Sequence, residues 1–291
     1  MGVTLRLDRH LRELAWATLV ANCVLVVTGG AVRLTASGLG CPTWPRCTEE
    51  SFTPHGALSL HSAIEFGNRL LTFALTAIAI ATFVAAWQSG RRDLRTLALV
   101  LGLGIPAQAL IGGFTVLTEL NPWVVSFHLL CSLAIICLAV LFIRRLAGPA
   151  PGHVTGAVPA LAWLTFLVGW VVLYVGTVVT GSGPHAGDAD APRNGLDPLQ
   201  VSQLHADVVF LFLGLSLGLA FALHAVPSSA EAVRAVRVLI GVELAQGAVG
   251  FVQYFTDLPI VLVGLHMLGA ALISAAMTWV VLAVRETTVS A

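Results

Sequence analysis

The sequence predicts an all-α transmembrane protein with eight spans, built as two pseudo-symmetric four-helix bundles from a parallel internal repeat. Three observations predict this fold. The 291 residues are 57% hydrophobic and only 10% charged, with a mean hydropathy of +0.90, which excludes an ordinary soluble domain and indicates a chain within the lipid bilayer. Apolar stretches of spanning length recur along the chain, and landmark residues recur at a nearly constant offset between its halves.

Eight apolar stretches have the length that a helix needs to cross about 30 Å of hydrocarbon, which is roughly 20 residues. They cover residues 14–33, 60–87, 96–118, 124–143, 160–180, 204–226, 235–254 and 259–284. The first stretch follows three arginines, as a signal peptide would. It is long, however, and no convincing small-residue cleavage site follows it, so we interpret it as an uncleaved first span.

The positive charges predict the orientation of the spans. The chain has no lysine, and if the spans alternate, most arginines fall on the side that holds both termini. That side has Arg6, Arg9, Arg12, Arg91, Arg92, Arg95, Arg144, Arg145, Arg234, Arg237 and Arg285, and the other has Arg33, Arg46 and Arg193. The positive-inside rule therefore predicts a multi-pass protein of the cell membrane with both termini in the cytoplasm.

Three landmarks indicate a duplicated four-span unit. They are a Gln-to-His separation of 20 residues at Gln108 and His128 and again at Gln246 and His266, a Thr-x-Ser-Gly segment at 35–38 and 180–183, and a Leu-His pair at 60–61 and 204–205. An even number of spans gives both copies the same orientation. We therefore predict an N-terminal bundle over residues 1–150 and a C-terminal bundle over 151–291.

Four histidines follow the points where the chain re-enters the membrane from the exterior, and we expect them at similar depth. They are His61, His128, His205 and His266. One such histidine is more often a hydrogen-bonded packing residue, but four that pair by repeat favour a cofactor site. Haem fits better than zinc or copper, because it needs one axial ligand from each of two helices and otherwise an apolar slot, and neither half has a tight cluster of ligands.

The second span differs from its counterpart in the sixth. His61, Glu65, Asn68 and Arg69 share one helical face because residues three and four apart stack. In the sixth span, nothing polar lies one or two turns below His205. Glu65 is therefore a candidate general base, and the open alternative is an ion pair with Arg69; the two are not exclusive.

Two cysteines, Cys41 and Cys47, lie in the first exterior loop. An oxidising compartment and prolines that fold the segment back favour a disulfide between them over two free thiols.

These features together resemble the haem A synthase family. The resemblance covers nearly the whole chain and rests on eight spans in two repeats, the exterior cysteine pair, the 65–69 stretch, and the histidines of spans four, six and eight. It implies an oxidoreductase that oxidises the C8 methyl group of haem O to a formyl group by successive hydroxylations, giving haem A for a terminal oxidase.

The resemblance also implies roles for the site residues. His205 and His266 would hold a haem b in the C-terminal half, and the N-terminal half would bind the substrate haem O. Glu65 would be catalytic, and the disulfide would brace or regulate the loop above the substrate. The family pattern has histidine where this chain has Asn68, although Arg69 is retained; the repeat offset suggests that His61 takes the axial role opposite His128.

The expected partners are the lipid bilayer, haem O, a quinone or other electron acceptor, and by inference from the pathway the haem O synthase and terminal oxidase assembly factors; no nucleic acid is expected. Two other functions fit parts of the sequence. A di-haem b-type cytochrome that passes electrons from quinol shares the histidines but needs no special carboxylate in one half. A transporter built from parallel repeats would use the histidines as proton relays.

Overall fold

The computed structural model describes residues 6–54, 59–148 and 156–284, and these residues form helices and loops without a strand. Eight helices in this part of the chain are long and apolar enough to cross a membrane, which confirms the predicted all-α fold with eight spans. They are α1 (Leu11–Leu34), α2 (Leu60–Gln88), α3 (Arg92–Leu117), α4 (Pro122–Ala147), α5 (Val158–Ser182), α6 (Pro198–Ala225), α7 (Ala230–Phe255) and α8 (Ile260–Val284). Arg285 and the predicted boundary between residues 150 and 151 lie outside the described residues.

Polar caps determine where two of the histidine-bearing helices begin. The Ser59 hydroxyl accepts a hydrogen bond from the Ser62 backbone N–H at 3.1 Å, so α2 begins at residue 60. The Asp197 carboxylate accepts one from the Leu199 N–H at 2.8 Å, so α6 begins at residue 198. The first cap puts His61 in the opening turn of its helix, whereas the second leaves two turns before the histidine of α6.

The helices divide into two compact units. The first contains α1 to α4 together with the short segment Gly187–Pro192, and the second contains α5 to α8. Within the first unit, α1 packs against α2 and α4, and α3 completes the ring by packing against α2 and α4. Within the second unit, α5 packs against α6 and α8, and α7 packs against both of these. Each unit is therefore a closed four-helix bundle.

Two short turns, one in each unit, share an unusual backbone geometry. In the α3–α4 turn, Glu119 and Leu120 have φ angles of 52° and 60°, and in the α7–α8 turn Asp257 and Leu258 have 58° and 57°. Consecutive non-glycine residues in this left-handed region are uncommon. In each turn the second residue donates its N–H to the carbonyl five residues earlier at 2.8 Å. The same local geometry thus leads into the histidine-bearing helices α4 and α8.

Hydrophobic packing is concentrated at one end of each unit. We call the end where the even-numbered helices begin the histidine end, and the other the opposite end. At the opposite end of the first unit, Leu94 and Phe142 belong to a buried apolar cluster contributed by all four helices. At the opposite end of the second unit, Leu223, Val236 and Val284 are almost completely buried. Both units therefore have close apolar packing at the opposite end.

Candidate functional site

Glu65 is buried on α2 and both of its carboxylate oxygens are hydrogen-bonded. It is only 5% exposed. Oε2 accepts the backbone N–H of Cys41 at 2.6 Å, and Oε1 accepts the Arg69 guanidinium at 2.5 Å. The ion pair with Arg69, which the sequence left open as an alternative, is present. It offsets the free-energy cost of burying the carboxylate. Glu65 is therefore fixed in orientation and attached to the loop that precedes α2.

Arg69 attaches the same loop to α2 through its guanidinium. Besides Glu65, its Nη2 lies 3.2 Å from the Cys41 carbonyl and 3.3 Å from the Thr43 carbonyl. Cys41 and Cys47 form the predicted disulfide, and both are buried. We call residues 41–47 the disulfide loop. One arginine thus joins the candidate catalytic carboxylate to the disulfide loop by hydrogen bonds that a lysine, with one compact ammonium group, would not reproduce.

Trp44 of the disulfide loop packs on α3 next to a histidine. A Cβ atom at Gly113 would overlap the Trp44 indole ring, so the absence of a side chain lets the ring lie on the helix. At the preceding residue, Gly112, a Cβ atom would lie 3.3 Å from Cε1 of His128. Two adjacent glycines therefore bring Trp44 and His128 against the same stretch of α3.

His61 differs from the other three histidines in its position along the helix. It is the second residue of α2 and its side chain is exposed, whereas His128, His205 and His266 lie in the second or third turn of their helices and are half-buried. His61 therefore departs from the expectation of a similar placement, because it lies nearer the start of its helix than the other three histidines do. The Nδ1 atom of His61 lies 3.1 Å from the Ser37 hydroxyl, which leaves Nε2 on the other side of the ring.

Asn68 lies one turn below Glu65 on α2. Its side-chain oxygen is buried and has no hydrogen-bond partner among the described residues. The structure therefore brings Glu65, Arg69 and the disulfide loop together and places Asn68 on the same helix. His61 and His128 make no ring contact with each other in the described part of the chain.

In the second unit, the structure brings His205 and His266 together. Their ring centroids are 6.4 Å apart with an angle of 70° between the ring planes. A Cβ atom at Gly176 would lie 3.1 Å from Cε1 of His205, and one at Gly250 would lie 3.2 Å from Cε1 of His266. The Nδ1 atoms of both rings are buried and have no hydrogen-bond partner within the described part of the chain. Each ring thus rests against a glycine of the neighbouring odd-numbered helix, as His128 does in the first unit.

The second unit also holds a buried carboxylate that sequence reasoning missed. Glu243 on α7 is 6% exposed; its Oε1 accepts the Ser216 hydroxyl of α6 at 2.7 Å, and its Oε2 has no partner among the described residues. The prediction that nothing polar lies one or two turns below His205 concerned α6 alone. The sequence signal for this carboxylate was an acidic residue inside the apolar stretch 235–254, because ionisable residues within a span usually have a functional role.

These observations define a polytopic membrane protein with histidines at one end of two four-helix units, one with a paired set and the other with a carboxylate and a disulfide loop. The sequence pattern of the COX15-CtaA family, described as a cytochrome oxidase assembly protein, matches residues 12–61 and 57–192. The chain therefore belongs to this family, which confirms the family expected from the sequence.

Several relatives carry the name Heme A synthase. The chain is 29% identical to the protein from Geobacillus thermodenitrificans over 43% of this chain and 39% of the relative. It is 30% identical to that of Bradyrhizobium sp. (strain BTAi1) over 57% of this chain and 56% of the relative. It is 27% identical to that of Bradyrhizobium sp. (strain ORS 278) over 89% and 87%. The first two matches span about half or less of the relatives' length, whereas the third spans most of it.

Proposed function

We propose that this protein is a haem A synthase, which oxidises the C8 methyl group of haem O to a formyl group for terminal oxidase biogenesis. Family membership and relatives named for this activity support the proposal. The observation that carries it is the contrast between the two units. One pairs two histidines at a separation suited to a resident metal, and the other holds a buried carboxylate, Glu65, beside a histidine helix and a disulfide loop.

The proposed resident cofactor is a haem b held by His205 and His266. The ring centroids of His205 and His266 lie 6.4 Å apart, and two imidazoles that share one metal ion through bonds of about 2 Å would lie at a comparable separation. The side-chain-free surfaces of Gly176 and Gly250 leave room for the rings. The residues present therefore fit the group, which supplies one-electron transfer when bound.

In the N-terminal unit, we propose that His61 and His128 flank the substrate haem. The contact between Ser37 and Nδ1 would orient the His61 ring and direct Nε2 towards the iron, as outer hydrogen bonds do for many metal-binding histidines. Asn68 cannot replace imidazole as an iron ligand, and with Arg69 it is assigned a supporting role. His128 rests on Gly112 in the manner of the paired histidines of the other unit.

Glu65 is the proposed catalytic residue. An ionised carboxylate offers about four acceptor positions, and the Cys41 N–H and the Arg69 guanidinium use one on each oxygen. The remaining positions are available to a water molecule or to a proton released from the reacting methyl group. The two fixed donors orient the carboxylate, and the disulfide loop, held by the same contacts, covers it.

The proposed oxidation takes oxygen from water and passes electrons to an acceptor. In the first step a C–H bond of the methyl group breaks and a C–O bond to water forms, which releases two protons and two electrons. A second hydroxylation releases two more of each and gives a hydrate that loses water to become the formyl group. Glu65 accepts a proton, and a quinone or another acceptor takes up the electrons.

The proposed setting follows from the arginine pattern. Both termini would lie in the cytoplasm of a cell-membrane protein, so the histidine end of each unit would face the exterior, where a disulfide persists. The haem O synthase that supplies the substrate and terminal oxidase assembly factors remain the proposed encounter partners.

The test is expression in a host that makes haem O but no haem A, followed by chromatography and mass spectrometry of the extracted haems. We expect haem A with the native chain and, in Glu65→Gln and Glu65→Ala variants, a loss on the order of 100-fold, as for removal of a general base. Glu243→Gln is the matched control, since it alters the other buried carboxylate, and it should keep haem A formation.

Haem b content per protein reports the folding of each variant. Haem b with unconsumed haem O in the native chain would contradict the proposal and favour an electron-transfer cytochrome. No bound haem at all would favour the transporter.

A further inference from the structure

Two glutamines occupy corresponding positions in the two units. Gln108 on α3 precedes His128 by 20 residues, and Gln246 on α7 precedes His266 by the same number. Each also lies four residues before the glycine that faces the histidine ring, so the glutamine and the glycine share one face of their helix. The two side chains therefore begin from equivalent backbone positions.

In the second unit, the side chain of the glutamine forms a hydrogen bond to another residue of the protein. The Gln246 Nε2 donates a hydrogen bond to the backbone carbonyl of His266 at 2.7 Å. The carboxamide lies against α8 at Gly269, where a Cβ atom would overlap it. Gln246 reaches this carbonyl because residue 269 has no side chain.

In the first unit, the equivalent of Gly269 is Cys131, since each lies three residues after the histidine of its helix. Cys131 carries a Cβ atom where Gly269 has none, and the hydrogen bond of Gln246 to the His266 carbonyl has no counterpart from Gln108 among the described residues. Its Oε1 is buried and has no hydrogen-bond partner among the described residues. Buried polar atoms are nearly always hydrogen-bonded, so an acceptor left over inside a bundle needs an explanation.

We propose that Gln108 is a positioning residue whose carboxamide binds a hydroxyl group of the substrate haem. The inference rests on the proposed function and deepens it. Gln108 lies one turn further into the bundle than Gly112, on the face of α3 that contacts His128. A carboxamide both donates and accepts, which matches a hydroxyl group and gives an apolar slot one point of polar recognition.

Two hydroxyl groups have this chemistry, and they are distinguishable. One is the hydroxyl that haem O already carries on its hydroxyalkyl side chain and that haem b lacks. The other is the alcohol formed at the C8 methyl before its second oxidation. Binding the first would select haem O over haem b, and binding the second would retain the alcohol until it becomes the aldehyde.

The test compares Gln108→Ala with two substitutions at Cys131. Cys131→Gly recreates the space present at Gly269, so Gln108 would turn onto the His128 carbonyl and the variant should behave like Gln108→Ala. Cys131→Ala keeps the Cβ atom and should behave like the native protein. The readouts are the alcohol-to-aldehyde ratio of the extracted haems and the affinity of the purified proteins for haem O relative to haem b.

Loss of one hydrogen bond predicts a change of about tenfold in one of these two ratios. A shift in the product ratio identifies the new alcohol as the ligand, and a loss of haem O selectivity identifies the side-chain hydroxyl. Native ratios in both Gln108→Ala and Cys131→Gly would overturn the inference. If the native chain itself neither binds nor converts haem O, the proposed function fails instead, so the two failures are separate.

Discussion

The two four-helix units begin from similar sequences and use their buried polar groups differently. In the second unit, Gln246 donates a hydrogen bond to the carbonyl of His266, whereas the Nδ1 atoms of both histidines and one oxygen of Glu243 have no partner among the described residues. In the first unit, Glu65 and Arg69 reach outward to a loop, and oxygen atoms of Asn68 and Gln108 have no partner among the described residues. The clearest difference is that the buried carboxylate of the first unit contacts a loop, whereas that of the second unit contacts a neighbouring helix.

In both units a histidine ring lies against a glycine of a neighbouring helix. Only in the second unit do two histidine rings contact each other among the described residues. His205 and His266 have a ring contact, whereas His61 is exposed at the start of α2 and contacts Ser37. A resident cofactor benefits from two ligands fixed on helix interiors. A substrate must enter and leave, and a ligand in the first turn of a helix, tethered by one hydrogen bond, suits that purpose.

Replacing Arg69 should give the largest effect on the first unit. Arg69→Ala leaves the Glu65 carboxylate buried beside one remaining donor and frees the carbonyls of the disulfide loop. We expect a loss of unfolding free energy on the order of 3 kcal/mol, because removing one partner of a buried pair leaves an uncompensated charge. Thermal unfolding of the detergent-solubilised protein measures it.

The control for this prediction is Arg6→Ala, which breaks an ion pair with Asp8 whose arginine side chain is 74% exposed. Exposed ion pairs contribute little, so this variant should unfold like the native protein. Equal stability of the Arg69 and Arg6 variants would show that the contacts of Arg69 do not hold the disulfide loop.

An intermediate effect is expected from filling the space beside the paired histidines. Gly176→Ala and Gly250→Ala each place a methyl group 3.1 to 3.2 Å from a histidine ring atom, so the ring must move by a few tenths of an ångström. Overpacking of this kind costs about 1 to 3 kcal/mol, which predicts roughly tenfold weaker haem b retention. Absorption spectra and haem-to-protein ratios measure it.

Gly241→Ala on α7 is the matched control, because a Cβ atom there would meet nothing within 4 Å. It should retain haem b as the native protein does. If the spectra of the Gly176 and Gly250 variants were identical to that of this control, the rings would not be the ligands of a tightly fitted cofactor.

The smallest effect is expected from Glu243→Gln. Glu243→Gln keeps an oxygen that accepts the Ser216 hydroxyl, so stability should change by less than about 1 kcal/mol. Glu243→Ala removes that acceptor inside the bundle and should cost about 1 to 3 kcal/mol. Thermal unfolding of the two variants measures the difference. A Glu243→Gln protein that folds and binds haem b but makes no haem A would contradict the assignment of the chemistry to the first unit alone.

The sequence predicted the helices well because hydropathy and helix length are properties of contiguous residues. It also predicted the Cys41–Cys47 disulfide, which closes a loop of a few residues. The contact of Glu65 with the Cys41 N–H could not be predicted, because it depends on how a loop 24 residues earlier folds back on the helix. The same holds for Trp44 on Gly113, which requires the tertiary position of both segments.

Two features were misjudged or missed for identifiable reasons. His61 was expected at the depth of the other histidines, but the Ser59 cap starts α2 only one residue before it. Glu243 was missed because the comparison between halves followed α2 and α6, whereas this carboxylate reaches the bundle from α7. The placement of His205 and His266 together in the second unit was implied by the family resemblance, and their rings are in contact in the structure.

The most direct test of the division between the units is the haem content of four histidine variants purified from a host that makes haem b but no haem O. The account predicts that His205→Ala and His266→Ala lose the tightly bound haem b, whereas His61→Ala and His128→Ala keep it and lose affinity for added haem O. Retention of haem b by the first pair, or its loss from all four variants alike, would contradict the account.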